Sequence, residues 1–549
     1  APGAHAAYIT DIPSTLQQPD GTTLKVLLSG DEYYNYAHDA RGYVIIQRPD
    51  GWWTYAKRDG DDVVPTEFIV SKVDPALAGL TPRVLPSPKT LYAKRAAYRA
   101  AAPVLASAPK TGTLNNIVVF IRFSDQTEFP ETFASYDSTF NGGAGKYSLK
   151  NYYNEVSYGK LNISSTLLPT PTGTTVLSYK DPNPRAYYMP YNAAANPLGY
   201  TSSNSAAREH SLLANAMAAV SSQIPKTLVV DGDNDGFMDN VCFVARGDTG
   251  AWSDLLWPHA WALYLQEVRV NGARLWNYNL QIENHLKDSG CSVLAHEMFH
   301  TLGAPDLYHY TSSPIDPLST WDLMAANTAH PQHMSAYMKY RYARWISIIP
   351  EIVASGTYTL NPLQSSAGNC LKIKSPNSAT EYFVVEYRRK PTAGFDSMIP
   401  GSGLVIYRIN SARDGSGNAS GPPDEVYVYR PGGTCADNGT PDTAFCNSSV
   451  GRTVFNATSN PACFLSTCGT GGIAISEVGL AGATIKFRVD IPAKPFTMAE
   501  AQEAVLVASG LTSASMLRFP RLNVVPDSGV DMLDATVILR KAVGVDPNP

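Results

Sequence analysis

Residues 295–308 read A-H-E-M-F-H-T-L-G-A-P-D-L-Y, and no other stretch restricts this chain so tightly. Two histidines four residues apart on a helix stand ~40° apart around its axis, on one face. The spacing therefore predicts a helix that presents His296 and His300 to a single metal ion, with Glu297 turned to the same side. Neutral imidazoles suit zinc, and zinc lowers the pKa of a bound water toward ~7. A carboxylate beside that water accepts its proton, leaving hydroxide to attack a carbonyl. The chemistry expected of such a helix is amide hydrolysis.

The residues that follow extend the pattern. Gly303 stands where a left-handed turn ends the helix, a conformation glycine adopts most easily. Asp306 then comes as the chain doubles back, placed to be a third, carboxylate ligand. Farther on, Ser319–Ala325 (S-T-W-D-L-M-A) is similar to the methionine turn beneath the zinc of extended H-E-x-x-H-x-x-G enzymes, with Met324 as the floor. In a His-poor chain the bare H-E-x-x-H core arises by chance on the order of once in a hundred. The competing reading is a buried helix whose histidines are merely satisfied. It makes Gly303, Asp306 and Met324 three coincidences.

These residues resemble the immune inhibitor A-like secreted metallopeptidases. The likeness extends to Asn116–Asp125 as a first catalytic strand, Tyr147–Leu161 as a first helix and its turn, Tyr278–Glu283 before the zinc helix and His333–Ile346 as a closing helix. It also includes E-Y-F-V-V-E-Y-R-R and P-G-S-G-L-V-I-Y-R-I near the C-terminal side, and it spans roughly residues 1–490. Cys291, just before the helix, departs from the pattern. The resemblance implies a zincin/metzincin-like catalytic domain, a zinc cofactor and an N-terminal propeptide.

Net charge is −5 and 17% of residues are charged, with no basic stripe, so nucleic acid is not an expected partner. No apolar run approaches the ~18 residues needed to span a bilayer. The chain begins Ala-Pro-Gly without a basic and apolar leader, so a signal peptide either was removed or never existed. Seven cysteines favour removal and a secreted, extracellular or cell-surface location. Cys435, Cys446, Cys463 and Cys468 cluster in loop-rich sequence, and the expected pairs are the local ones, Cys435–Cys446 and Cys463–Cys468.

Composition divides the chain into an α+β multidomain protein. Residues 1–75 alternate polar and apolar positions between turns, as in Thr23–Leu28 and Gly42–Gln47, and form a β-rich, propeptide-like domain. Residues 76–113 are an Ala/Pro-rich basic linker, open to proteolysis between about Arg83 and Lys110, or else a plain spacer. Its helical stretch is Leu91–Ala102. No cysteine precedes Cys242, so a latency group from residues 1–113 cannot be a thiolate; Asp31, Glu32, His38 and Asp39 are the other candidates, beside bulk occlusion.

Residues 114–346 form the catalytic domain, with strand Asn116–Phe123 and helices Ser148–Val156 and Ala206–Ser222. Within it, D-G-D-N-D-G-F-M-D (231–239) is the front of an EF-hand-like calcium loop, with Asp231, Asp233, Asp235 and Asp239 as ligands. Position twelve is Cys242 in place of the usual glutamate. The competing reading is an acidic surface turn. His259 and His210 are expected to be packed histidines, and Glu283 to touch a ligand histidine or line the cleft. Tyr308, Tyr310 and Tyr337 are candidates to steady an oxyanion.

Residues 347–491 change to strands and glycine turns, Glu381–Arg388, Gly403–Ile409, Val426–Tyr429 and Thr484–Val489, read as a β-sandwich. Residues 496–549 pair helical patterns Met498–Ser509 and Asp534–Gly544. Between them Asn523, Asp527, Asp531 and Asp534 occupy calcium-loop positions, resembling half of a dockerin, the module that docks on cohesin-type receptors. Val525 and Ser528 depart from that pattern, and a generic two-helix appendage is the alternative. The expectation is a secreted zinc endopeptidase stabilised by calcium, acting on protein or peptide substrates. Its rivals are a substrate- or carbohydrate-binding protein on an inactive scaffold and a zinc exopeptidase.

Overall fold

A computed structural model describes residues 9–31, 33–101, 106–250, 252–288, 290–310, 315–491, 496–514, 522–525 and 529–546. Glu32, Asp527, Ser528 and the linker segment 102–105 lie outside them. The protein is a mixed α/β chain with several sheets. It divides into two units: residues 1–345 with 390–399 and 413–425, and residues 346–389 with 400–412 and 426–549.

The first unit opens with a six-stranded antiparallel sheet in sequence order: β1 (Ile9–Gln17), β2 (Thr23–Gly30), β3 (Asn35–His38), β4 (Val44–Gln47), β5 (Trp53–Asp59) and β6 (Asp62–Ile69). Alternation places Leu24, Val26 and Leu28 of β2 on one face, in a core with Ile45 and Tyr55. The linker contains α1 (Pro88–Ala101). After it come β7 (Gly112–Arg122), α2 (Phe133–Asn141), α3 (Leu149–Val156), β8 (Leu161–Leu168), β9 (Tyr179–Lys180) and α4 (Ser205–Val220). Ser148 caps α3 by accepting from the Asn151 N–H at 3.0 Å. Then follow β10 (Asn240–Ala245), β11 (His259–Ala262), the ribbon β12 (Arg269–Val270) and β13 (Ala273–Arg274), β14 (Asn277–Ile282), α5 (Glu283–Asp288) and α6 (Ser292–Thr301).

The central sheet runs β11-β14-β10-β7-β8. Every neighbour is parallel except β11, which lies antiparallel to β14 at the edge. Odd-numbered residues of β7 and β10, including Ile117, Val119, Ile121, Val241 and Phe243, pack with Tyr278 and Leu280 of β14 and with Leu213, Met217 and Val220 of α4. Even-numbered residues of β7 and β10 face the other way, where Phe120 meets Tyr136 of α2 edge-on. On that face Asn116, Asn240 and Asn279 form a buried amide ladder, and the Thr301 hydroxyl at the end of α6 donates to Asn240 Oδ1 at 2.8 Å. Tyr153 of α3 donates to the Ala295 carbonyl of α6 at 2.7 Å. Sheet and helix are thereby fixed together through polar contacts that burial makes costly to leave unmade. The closing segment is shorter than the expected 333–346 helix: α7 covers Ala336–Arg341.

The second unit holds two antiparallel sheets, one of β16 (Cys370–Lys374), β17 (Glu381–Arg388), β18 (Gly403–Asn410) and β19 (Val426–Val428), the other of β15 (Gly356–Leu360), β21 (Ile485–Asp490) and β20 (Ala474–Ser476). Its disulfide joins Cys435 to Cys468, which corrects the expected local pairs. The backbone explains this. Cys435 Sγ lies 3.8 Å from the Leu465 carbonyl, in the turn that ends at Cys468, whereas Cys446 is drawn off to pair with Leu404 and Cys463 with Asn456. Cys446 and Cys463 are free and buried. The tail packs helices Met498–Ala508 and Met532–Ala542 around Ala504, Leu522 and Ile538. Among the described residues no helix is long and apolar enough to cross a membrane.

Candidate active site

Every residue of α6 is buried, so its histidines can face only the protein interior or a site enclosed by it. His296 Nε2 lies 3.0 Å from Asp306 Oδ1 and His300 Nε2 lies 3.5 Å from the same oxygen. His296, His300 and Asp306 thus converge as one group able to hold a metal ion. Gly303, at φ +91°, turns the chain back toward the helix, and its N–H caps the His300 carbonyl at 2.8 Å.

The tautomers follow from the acceptors. His296 Nδ1 is 2.9 Å from the Leu323 carbonyl and His300 Nδ1 is 2.8 Å from the Ala304 carbonyl. A carbonyl can only accept, so each Nδ1 carries a hydrogen; in the neutral ring Nε2 is left with its lone pair on the Asp306 side, free for a metal, and in the imidazolium of His296 it donates to Asp306 instead. Burial disfavours an imidazolium at His296, yet the Asp306 hydrogen bond and the charges of Asp306 and Glu297 outweigh it and raise its pKa. A positive charge is favoured where these groups meet. Two imidazole nitrogens and a carboxylate oxygen are the donor set of a catalytic zinc, so the residues fit that ion.

The neighbouring segments supply the backing. Segment 319–325 buries Met324 fully, and the Met324 carbonyl accepts from the Leu307 N–H, one residue past Asp306, at 2.8 Å. Asp322 pins that segment, accepting from Met324 N–H at 2.9 Å and Ser335 N–H at 2.7 Å. Tyr310 donates its hydroxyl to Asp306 Oδ2. Tyr308 packs beside it, ring centroids 5.2 Å apart. Tyr337 is directed elsewhere, to Glu425 at 2.8 Å and Asp414 at 3.4 Å. Glu297 is buried on α6. Burial first, and the Glu297 charge second, hold the Cys242 thiol far above its usual range. Cys291 is the N-cap residue of α6, and burial pushes its thiol up to about 12.

Glu283 is anchored away from the ligands, by the Tyr136 hydroxyl at 3.0 Å, the Gly247 N–H at 2.9 Å and Lys287 at 3.1 Å. His259 is a core residue between the Trp257 carbonyl at 2.8 Å and Glu209 at 3.0 Å. His210 Nδ1 accepts from Leu265 N–H at 3.2 Å. Sequence reading offered no hint of Tyr33 in the N-terminal sheet domain. It packs with Tyr308 and Tyr310, 5.2 Å from the latter ring. Of the proposed latency groups, Asp31 caps its own turn through Tyr33 and Tyr34 N–H, His38 bonds Ser29 and the Asp39 carbonyl, and Asp39 closes the Arg41–Tyr43 turn.

In the acidic loop, Asp231, Asp233 and Asp239 converge within 4.8 Å. Asp235 is turned to the Phe237 N–H at 2.9 Å and to Ser107 of the linker, which also donates to Asp233. Gly236 makes the sharp turn at φ +90°. Burial, with Asp233 and Asp231 close by, lifts Asp239 to about 7. Position twelve, Cys242, lies inside β10 and offers no ligand there. In the tail, Asp531 N-caps the last helix and Asp534 is buried, accepting from Val525 N–H at 2.8 Å and Asp531 N–H at 3.0 Å. Asn523 lies just before them, and Asp527 is outside the described residues. Among the described residues these tail groups form no metal-ligating cluster. Compared with known proteins, the chain matches no family model and no curated protein.

Proposed function

We propose that this chain is a secreted zinc endopeptidase of zincin-like fold, stabilised by calcium. The observation that carries the reading is the convergence of Asp306 on His296 and His300 of α6, the helix that also bears Glu297. His296, His300 and Asp306 would hold the metal, which supplies a Lewis acid that acidifies water and polarises a carbonyl oxygen. Glu297 takes the proton of the attacking water and returns it to the leaving amine. Tyr310, bonded to Asp306, orients the third ligand, and Tyr308, whose ring packs on Tyr310, is the proposed phenol for an oxyanion. An antiparallel edge strand beside a parallel sheet that leads into the metal helix supports the zincin-like assignment.

The loop Asp231, Asp233, Asp239 is the proposed calcium site, with Asp235 and Ser107 at its margin. The N-terminal sheet is proposed as a propeptide that covers the site through Tyr33 rather than through a carboxylate or imidazole. Exposed Leu511, Leu533 and Val543 on the tail support its reading as a dockerin-like docking module for a cohesin-type receptor.

The test is digestion of a peptide library by the full chain and by the chain cut between Arg83 and Lys110, with and without a zinc-selective chelator. Internal cleavage that rises after the cut and disappears with chelator is expected. Terminal trimming alone indicates an exopeptidase. Zinc binding without hydrolysis indicates a binding protein on an inactive scaffold.

A further inference from the structure

Residues 413–425 belong to the first unit, although the strands on either side of them, β18 and β19, belong to the second. We infer that this segment is a positioning strap for the metal site, holding the 305–310 turn so that the Asp306 carboxylate faces the two histidines. The inference rests on the zinc reading above.

The strap engages the turn at successive points. Asn418 N–H donates to the Asp306 carbonyl at 2.9 Å, and its Nδ2 donates to the Leu307 carbonyl at 2.9 Å. One residue on, the Ala419 carbonyl accepts from the Tyr310 N–H at 3.1 Å. Asp424 then accepts from His309 Nε2. The ligand residue, the orienting Tyr310 and two residues between them, Leu307 and His309, are thus each held by the strap. Asn418, Asp424 and Glu425 are buried, so these bonds form away from competing water.

Two features fix the strap itself. Glu425 accepts from Tyr337 at 2.8 Å and Tyr342 at 2.6 Å, both in or beside α7, and from the Gly417 N–H at 2.7 Å. Gly417 has φ +61°, and a Cβ there would lie 2.3 Å from the Asp306 carbonyl oxygen. Only glycine permits so close an approach. A carboxylate ligand on a turn has rotational freedom that costs metal affinity unless neighbouring groups remove it, and losing such partners typically weakens metal binding 10- to 100-fold.

The test follows zinc release from the full, zinc-loaded chain into an excess of a colorimetric chelator, with thermal midpoints measured on the same samples. Asn418→Ala and Asp424→Ala should release zinc roughly tenfold faster or more than the wild type. Asp424→Asn, which keeps an acceptor for His309, should restore slow release. Asp414→Ala is the structural control: it removes the outer ion pair with Arg341 and the long 3.4 Å contact from Tyr337, which keeps its 2.8 Å bond to Glu425, and should leave the release rate unchanged. Should Asp424→Ala fail to fold, Asn418→Ala carries the comparison. Wild-type release rates in Asn418→Ala, or equal acceleration in Asp414→Ala, would overturn the strap while leaving the zinc reading intact. A wild-type chain that takes up no zinc overturns both.

Discussion

The two acidic or imidazole clusters of the first unit are held in opposite ways. At His296, His300 and Asp306 all three ligands are buried, and each is oriented by a separate part of the chain: Leu323, Ala304 and Tyr310. At Asp231, Asp233 and Asp239 the ligands come from one loop, one of them is exposed, and much of their orientation comes from that loop's own N–H groups. The first cluster is shaped without a cation. The second concentrates carboxylates whose mutual repulsion a cation would relieve. On the proposed reading, the difference predicts that metal at α6 governs chemistry and metal at the loop governs stability.

The largest expected effect is on catalysis. Glu297→Gln should lower peptide hydrolysis by about 10²- to 10⁴-fold with zinc still bound, because the side chain supplies a base and not a ligand. Near-normal turnover in the purified variant would remove Glu297 from the mechanism. Asp306→Ala should instead lose zinc on dialysis, whereas Asp233→Ala should keep it. Metal analysis of both variants checks the contrast, and equal zinc content would erase it.

Acid sharpens the comparison near α6. His285 is buried in α5 with no partner for either ring nitrogen among the described residues, and burial lowers its pKa to about 4. A depressed folded pKa means the unfolded chain binds the extra proton, so stability is full above about pH 6.5 and falls as pH drops toward 4. The ceiling on this term is ~3 kcal/mol. Urea midpoints from pH 7 to pH 4 should show that slope in the wild type and lose part of it in His285→Leu. An identical slope in the variant would assign it to other groups.

Calcium removal should act with the opposite pH dependence and a smaller effect. Stabilisation by a ligand at a hundredfold excess over its Kd is about 2.7 kcal/mol at most, for one site. Asp239, lifted to about 7 by burial and its neighbours, is protonated in the cation-free fold below that pH and ionised above it. The loss on chelation should therefore be greatest above about pH 7 and shrink toward pH 4, with zinc content constant. A melting temperature indifferent to a calcium-selective chelator at pH 8 would reduce the loop to an acidic turn.

What the sequence determined is what depends on local geometry. An i, i+4 pair on a helix shares a face whatever surrounds it, so His296 and His300 were legible together, and Gly303 announced the turn that returns Asp306. A run of aromatic and β-branched residues bounded by turns located β17 at Glu381–Arg388, and apolar spacing located α4 within a residue or two of its observed ends. The acidic loop was legible because its ligands sit within one turn. Tertiary structure alone decided which carbonyls fix the histidine tautomers, that Tyr310 and not Tyr337 reaches Asp306, that Tyr33 meets the site, and that Cys435 bonds Cys468. The His296–Leu323, Tyr33–Tyr310 and Cys435–Cys468 contacts join residues far apart in the chain, and the four-residue spans from His300 to Ala304 and from Asp306 to Tyr310 run through irregular backbone past the end of α6. No periodicity encodes such a contact, because its partner is chosen by how whole elements pack and by which buried polar groups must be satisfied once they do.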